Sequence, residues 1–86
     1  MQNNQLELLD YILGNYPDEQ FLIVDGFDQA IIGVEETSMR LIYSKDKIIE
    51  ILMQEMEEAD AHEHYDFNIA GAYVGEKTPI FCNDIF

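Results

Sequence analysis

The residues best suited to chemistry stand close together in the acidic segment from Glu57 to Asp66. On a helix, Glu58, His62 and Asp66 would share one face at four-residue spacing, and a histidine with a carboxylate at that spacing can hold a divalent metal. His62 and His64, however, are two residues apart, so their side chains would diverge, and the H-E-x-x-H pattern of zinc proteases is absent. We therefore expect a solvated acidic helix face, with no metal and no cofactor.

Cys82 is the second candidate, because His62 and His64 elsewhere in the chain leave a Cys–His dyad open. Its neighbours Ile80 and Phe81 instead favour a packed strand, where a free cysteine is usually an inert small hydrophobe. We find no other local catalytic signature and predict that the protein is not an enzyme. A single cysteine also excludes an internal disulfide, which is untypical of small secreted domains.

Charge is the most unusual property of the sequence. Eighteen acidic residues face four basic ones, for a net charge of −14. The excess is spread over both halves of the chain, and six acids but no base lie between Glu55 and Asp66. Such a field repels anions, which argues against direct binding to nucleic acid or to an anionic membrane and favours a basic protein surface as the partner. Solubility alone is the competing explanation.

The N-terminal segment of the sequence lacks the pattern of a signal peptide. Residues 1–10 have neither a basic n-region nor an apolar h-region, so we expect no signal peptide here. No apolar run in the sequence approaches the ~20 residues that a membrane-spanning helix requires. We therefore expect a cytoplasmic protein.

Apolar spacing predicts a single α+β domain over residues 1–86 that begins with a helix over residues 4–16. Asn4 and Glu7 resemble a capping box at its start. The buried stripe of this helix is predicted to contain Leu6, Leu9 and Leu13, widened by Leu8, Ile12 and Tyr16.

Three short apolar runs follow this first helix. They span residues 21–24, 30–34 and 39–43, and the first two are close enough for a hairpin. Because three strands in succession favour neighbouring pairing, we predict a three-stranded antiparallel meander.

Two more helices are predicted after the meander. Ser44 would cap a helix over residues 45–54, whose buried stripe would hold Ile48, Ile51 and Leu52, with Ile49 and Met53 at its edges. A helix over 57–68 would bury Ala61, Tyr65 and Ile69. A break near Glu55 or Met56 separates the two helices in this interpretation, and one continuous bent helix is the alternative.

The C-terminal part is predicted to be structural. Residues 70–78 read as a loop, and residues 80–82 as a short closing strand with Pro79 at its start. Five residues are assigned structural roles, the glycines relieving backbone strain and the rings packing on the meander: Gly71, Tyr73, Gly75, Pro79 and Phe81.

Three stretches of the chain resemble a group of small uncharacterised bacteriophage proteins. They are residues 25–34, residues 48–53 and the more specific FNIAGAYVGEKTPIF over 67–81. The resemblance covers about residues 21–82 and implies expression inside a bacterium, but it carries no functional residue over. In that group the positions of His62 and His64 often hold apolar or aromatic residues, which speaks further against a metal site.

Charge and resemblance together predict a non-catalytic acidic protein-binding module of phage type in the host bacterial cytoplasm. It would act as an inhibitor of a host or defence nucleic-acid-binding protein by docking on its basic surface. One alternative is an oligomeric phage accessory or regulatory protein, so a homo-oligomer stays open, and another is a metal-dependent enzyme. The partner-binding residues are predicted to be Glu57, Glu58, Asp60, Glu63 and Asp66.

Overall fold

The computed structural model of the chain describes the backbone of residues 4–83 and the side chains of residues 8–83. Helices and short strands follow one another along these residues, as expected for an α+β protein. The elements are α1 (Asn4–Asn15), a 3-10 turn (Asp28–Ala30), β1 (Ile31–Glu35), β2 (Arg40–Ser44), α2 (Lys45–Leu52), α3 (Glu58–His64), a π turn (Tyr65–Ile69) and β3 (Ile80–Cys82).

The sheet is mixed and has the order β1-β2-β3. β1 and β2 form an antiparallel hairpin, whereas β3 pairs with β2 in parallel, with Ile42 opposite Ile80 and Ser44 opposite Cys82. The predicted closing strand is confirmed, and it is the third strand of the sheet. The prediction of a three-stranded antiparallel meander is therefore right only for the pair β1–β2. The third strand of the sheet is β3, which pairs in parallel.

The apolar run over residues 21–24 does not form a strand, and its predicted hairpin with residues 30–34 is wrong. β2 is the central strand between β1 and β3, and the outer edge of β1 has no strand partner among the described residues. The run is held by a side chain instead, because the backbone N–H of Val24 donates to the hydroxyl of Tyr43 at 2.8 Å. Residues 22 and 23 are consequently left exposed at the surface.

The turn between β1 and β2 is closed by a carboxylate. Glu35 accepts hydrogen bonds from the backbone N–H of Thr37 at 3.0 Å and from the backbone and hydroxyl of Ser38 at 2.8 and 2.5 Å. Because the Ser38 hydroxyl above all, and then the backbone donors, favour the charged form, the pKa of Glu35 falls to about 2. Met39 completes the turn with a left-handed φ of 55°.

The predicted N-terminal helix is confirmed, with a narrower buried face than expected. Leu9 and Ile12 are buried in the core, but Leu13 is exposed. Leu6 and the capping-box side chains of Asn4 and Glu7 lie outside the described side chains.

The predicted cap of α2 is confirmed, because the Ser44 hydroxyl accepts from the backbone N–H of Lys47 at 3.2 Å. Its buried face differs by one position from the prediction. Ile49 is buried together with Ile48 and Leu52, while Ile51 is only partly buried. The buried face is therefore rotated toward Ile49 and away from Ile51.

A break separates α2 from α3, so the alternative of one continuous helix is wrong. The chain leaves the helix after Leu52 and enters the next at Glu58. α3 then widens into the π turn, which is closed by a hydrogen bond from the N–H of Ala70 to the carbonyl of Tyr65 at 2.8 Å. The predicted buried positions of this segment are confirmed: Ala61, Tyr65 and Ile69.

The described buried residues form one apolar core between the helices and the sheet. Tyr43 lies near its centre, and Phe81 of β3 packs against it with ring centroids 5.8 Å apart. Tyr65 of the π turn meets the same phenylalanine edge-to-face at 5.9 Å. Among the described residues, no helix has the length and apolar character needed to cross a membrane.

Candidate partner-binding surface

Five carboxylates form an exposed acidic row on α3 and the residues that flank it. These five residues are the partner-binding set predicted from the sequence, and we call them the acidic row. Every member is exposed to solvent: Glu57, Glu58, Asp60, Glu63 and Asp66. Ala61 and Tyr65 of the same segment are buried in the core. The row is therefore presented on an ordered helical scaffold.

Two lysines of the described part of the chain contact other side chains, and one of these side chains, Tyr65, belongs to the segment that carries the row. Lys77 pairs with Glu19 at 3.1 Å, and the ammonium of Lys45 lies over the ring of Tyr65 at 5.4 Å from its centroid. The sequence from residue 48 to residue 76 contains neither lysine nor arginine. The segment that carries the row thus supplies no lysine or arginine of its own to offset its negative field, although Lys45 of α2 reaches it at Tyr65.

The two histidines diverge, as their spacing predicts. His62 approaches the Glu58 carboxylate at 3.7 Å, whereas Nδ1 of His64 lies 3.3 Å from the amide nitrogen of Asn68. Cys82 is a free thiol on β3, partly buried, and in residues 8–83 no hydrogen bond or ion pair joins it to either histidine. The described side chains also contain no group of three histidine, cysteine or acidic residues able to hold a metal ion.

A depression of about 350 Å³ borders the acidic row. Asp60 and Glu63 line one part of it, and Met56 and Phe67 contribute apolar surface. Phe67 is 76% exposed. Charged and apolar groups are therefore adjacent on this side of the molecule.

An apolar groove of about 250 Å³ lies next to that depression. We define the apolar groove by the residues that line it: Leu22, Ile23, Val24, Asn68, Ile69, Ala72, Val74, Pro79 and Phe81. Asn68 lines both the groove and the depression, so the two features adjoin. The groove is not predictable from the sequence, because residues 21–24 have the composition of a strand.

Four of the five residues assigned structural roles have positions that agree with that assignment. A Cβ on Gly71 would stand 2.9 Å from the carbonyl oxygen of Asp66, and Gly75 has a left-handed φ of 111°. Pro79 is buried, and Phe81 is partly buried against the core. Tyr73, however, is 77% exposed, so the prediction that it packs on the sheet is wrong.

Lys77 fastens the C-terminal loop to two other segments. Its ammonium donates to the Glu19 carboxylate at 3.1 Å and to the carbonyl of Met39 at 2.8 Å, and it lies over the ring of Phe21. No local pattern in the sequence pairs residues so far apart. These contacts hold the loop that carries Val74 beside Phe21, which directly precedes groove residues 22–24.

No protein-family model, curated protein or solved structure matches the chain. The functional proposal is consequently based on the geometry and charge of its surface.

Proposed function

We propose that this protein is a non-catalytic binding module that docks on a basic protein surface through the acidic row. One observation carries the proposal: five exposed carboxylates stand on one ordered helical segment that contains no lysine or arginine. Because the helix is packed on the core through Ala61 and Tyr65, little conformational entropy is lost when the row meets a partner. A flexible acidic tail would lose more.

The proposed partner is a nucleic-acid-binding protein of the host or of its defence systems. Carboxylates at fixed positions can take the place of phosphates in a groove lined by lysine and arginine, because both groups accept charge-assisted hydrogen bonds from those side chains. A net charge of −14 would accelerate the encounter with such a groove. The resemblance to bacteriophage proteins supports this setting, in which the module acts in the host bacterial cytoplasm.

Binding kinetics test the role of the row. The wild-type chain is used as bait in a bacterial lysate, and the recovered basic partner is purified. Association and dissociation rates are then measured for the wild type and for the triple variant Glu57→Gln, Asp60→Asn and Glu63→Gln. We expect the variant to associate roughly tenfold more slowly at low salt, with a smaller change in dissociation. Between 0.1 and 1 M salt the Debye length falls from ~10 to ~3 Å, so the difference should nearly vanish.

A second triple variant removes the same charge elsewhere. Asp10→Asn, Asp46→Asn and Glu50→Gln neutralise three exposed carboxylates on α1 and α2. This control should associate at nearly the wild-type rate. If both triple variants slow association equally, net charge alone is responsible and the acidic row is not the binding surface. A homo-oligomer that recovers no basic partner would favour the accessory-protein alternative instead.

A further inference from the structure

The apolar groove exposes large side chains that an isolated domain of this size would ordinarily bury. Ile23 is 42% exposed and Val74 is 60% exposed, and both line the groove with Phe81. Contiguous exposed apolar surface commonly marks a site of interaction. The groove is therefore a second feature, independent of charge, that bears on how this protein binds a partner.

One wall of the groove is a segment that does not join the sheet. Residues 22–24 line the groove opposite Pro79 and Phe81 without forming a strand. The anchoring hydrogen bond from Val24 to the Tyr43 hydroxyl fixes the segment in this place. The cavity of about 250 Å³ is smaller than the ~300–1,000 Å³ typical of small-molecule pockets. Its size suits one or two apolar side chains of a docking segment.

Charge decides what kind of segment the groove receives. Asn68 joins the groove to the depression that Asp60 and Glu63 line, so a chain lying across both would meet apolar surface and carboxylates in succession. A second copy of this protein would bring another −14 charges to the same place. Repulsion between the two copies disfavours self-association and favours a cationic partner.

We propose that the apolar groove receives the apolar anchor of a protein segment whose neighbouring lysines or arginines contact the acidic row. This inference rests on the proposed function and identifies the partner chemistry as basic and amphipathic. Charge then governs the association rate, while the buried anchor governs the dissociation rate. The two contributions are separable by experiment because they lie on different residues.

Three short synthetic peptides serve as probes. The first is helical with leucine on one face and lysine on the other, the second replaces every lysine by glutamate, and the third replaces every leucine by serine. We expect the leucine–lysine peptide to bind most tightly and to shift the backbone resonances of Ile23, Asn68 and Val74. Binding of the leucine–glutamate peptide with similar affinity would overturn the proposal, and so would shifts confined to α1 and α2.

A matched pair of variants isolates the groove. Ile23→Ser changes a groove residue, and Ile32→Ser makes the same substitution on β1 at a similar exposure of 39%, outside the groove. Thermal unfolding of both variants verifies that they fold. At high salt, where the acidic row is screened, Ile23→Ser should weaken the leucine–lysine peptide roughly tenfold, since it removes one apolar contact from the interface. Ile32→Ser should bind as the wild type does.

The outcomes separate the two proposals. If the Glu57, Asp60 and Glu63 triple variant slows association but Ile23→Ser dissociates as the wild type does, the acidic row binds and the groove proposal is refuted. If Ile23→Ser accelerates dissociation while the triple variant is unchanged, the proposed function through the row fails. A homodimer that Ile23→Ser converts to a monomer would identify a second copy as the occupant and would also refute the groove proposal.

Discussion

Phe81 joins the last strand to the rest of the core, and its removal is the sharpest test of the fold. The centroid of its ring lies 5.8 Å from that of Tyr43 in β2 and 5.9 Å from that of Tyr65 in the π turn. β3 contains only three residues, so its ladder with β2 contributes few hydrogen bonds. We predict that Phe81→Ala strongly destabilises the protein, because this side chain provides much of the packing of β3.

The magnitude follows from the burial of the ring and its two aromatic contacts. Truncation of a fully buried phenylalanine costs ~3–5 kcal/mol. Phe81 is only partly buried where it lines the groove, and each ring pair contributes ~0.5–1.5 kcal/mol beyond area burial, so we expect about 2–4 kcal/mol. A domain of this length has a total stability of about 4–13 kcal/mol. The variant would therefore lose a large part of its stability.

Urea unfolding followed by circular dichroism measures this loss. Phe67→Ala is the matched control, because it makes the same substitution on a ring that is 76% exposed. We expect it to change the free energy of unfolding by less than about 0.5 kcal/mol. Equal free energies of unfolding for Phe81→Ala and Phe67→Ala would refute the placement of Phe81 against the core and the pairing of β3 with it.

Two further predictions concern the backbone and pH. Gly71→Ala should lower the melting temperature, since its Cβ would stand 2.9 Å from the Asp66 carbonyl oxygen, whereas Gly14→Ala, with no atom within 4 Å, should not. An equal effect of both would contradict the crowding. The Glu35 pKa is lowered from 4.5 to about 2, so its stabilisation is present above pH 4.5 and is lost as pH falls toward 2. The difference in unfolding free energy between wild type and Glu35→Gln should shrink over that range, and a constant difference would refute this assignment.

Sequence patterns predicted the elements that local chemistry determines. The helix periodicity placed α1 and α2, the Ser44 cap marked the start of α2, and the apolar run before Cys82 gave β3. Each of these depends on residues within a few positions of one another. Fold class was predictable for the same reason, since helices and short strands alternate along the chain.

The errors arose where distant residues decide the structure. Residues 21–24 have the composition of a strand but form none, whereas β2 takes its third strand from β3, nearly forty residues after β2 in the sequence. The sequence also does not reveal that the Tyr43 hydroxyl holds Val24, or that Lys77 reaches Met39. Exposure of the acidic row was predictable from charge and spacing. The groove was not, because the residues that line it come from three segments that are distant in sequence.

The π turn links the core to both parts of the proposed binding surface. Tyr65 begins this turn and packs against Phe81, while Phe67 and Asn68, within the same turn, line the depression at the acidic row. Phe81 in addition lines the apolar groove. Because one turn of backbone carries residues of the core, the depression and the groove, a change in its geometry would alter the relative positions of carboxylates and apolar contacts. The packing of β3 therefore bears on the relative positions of the acidic row and the apolar groove, the two features that the proposed partner segment would contact.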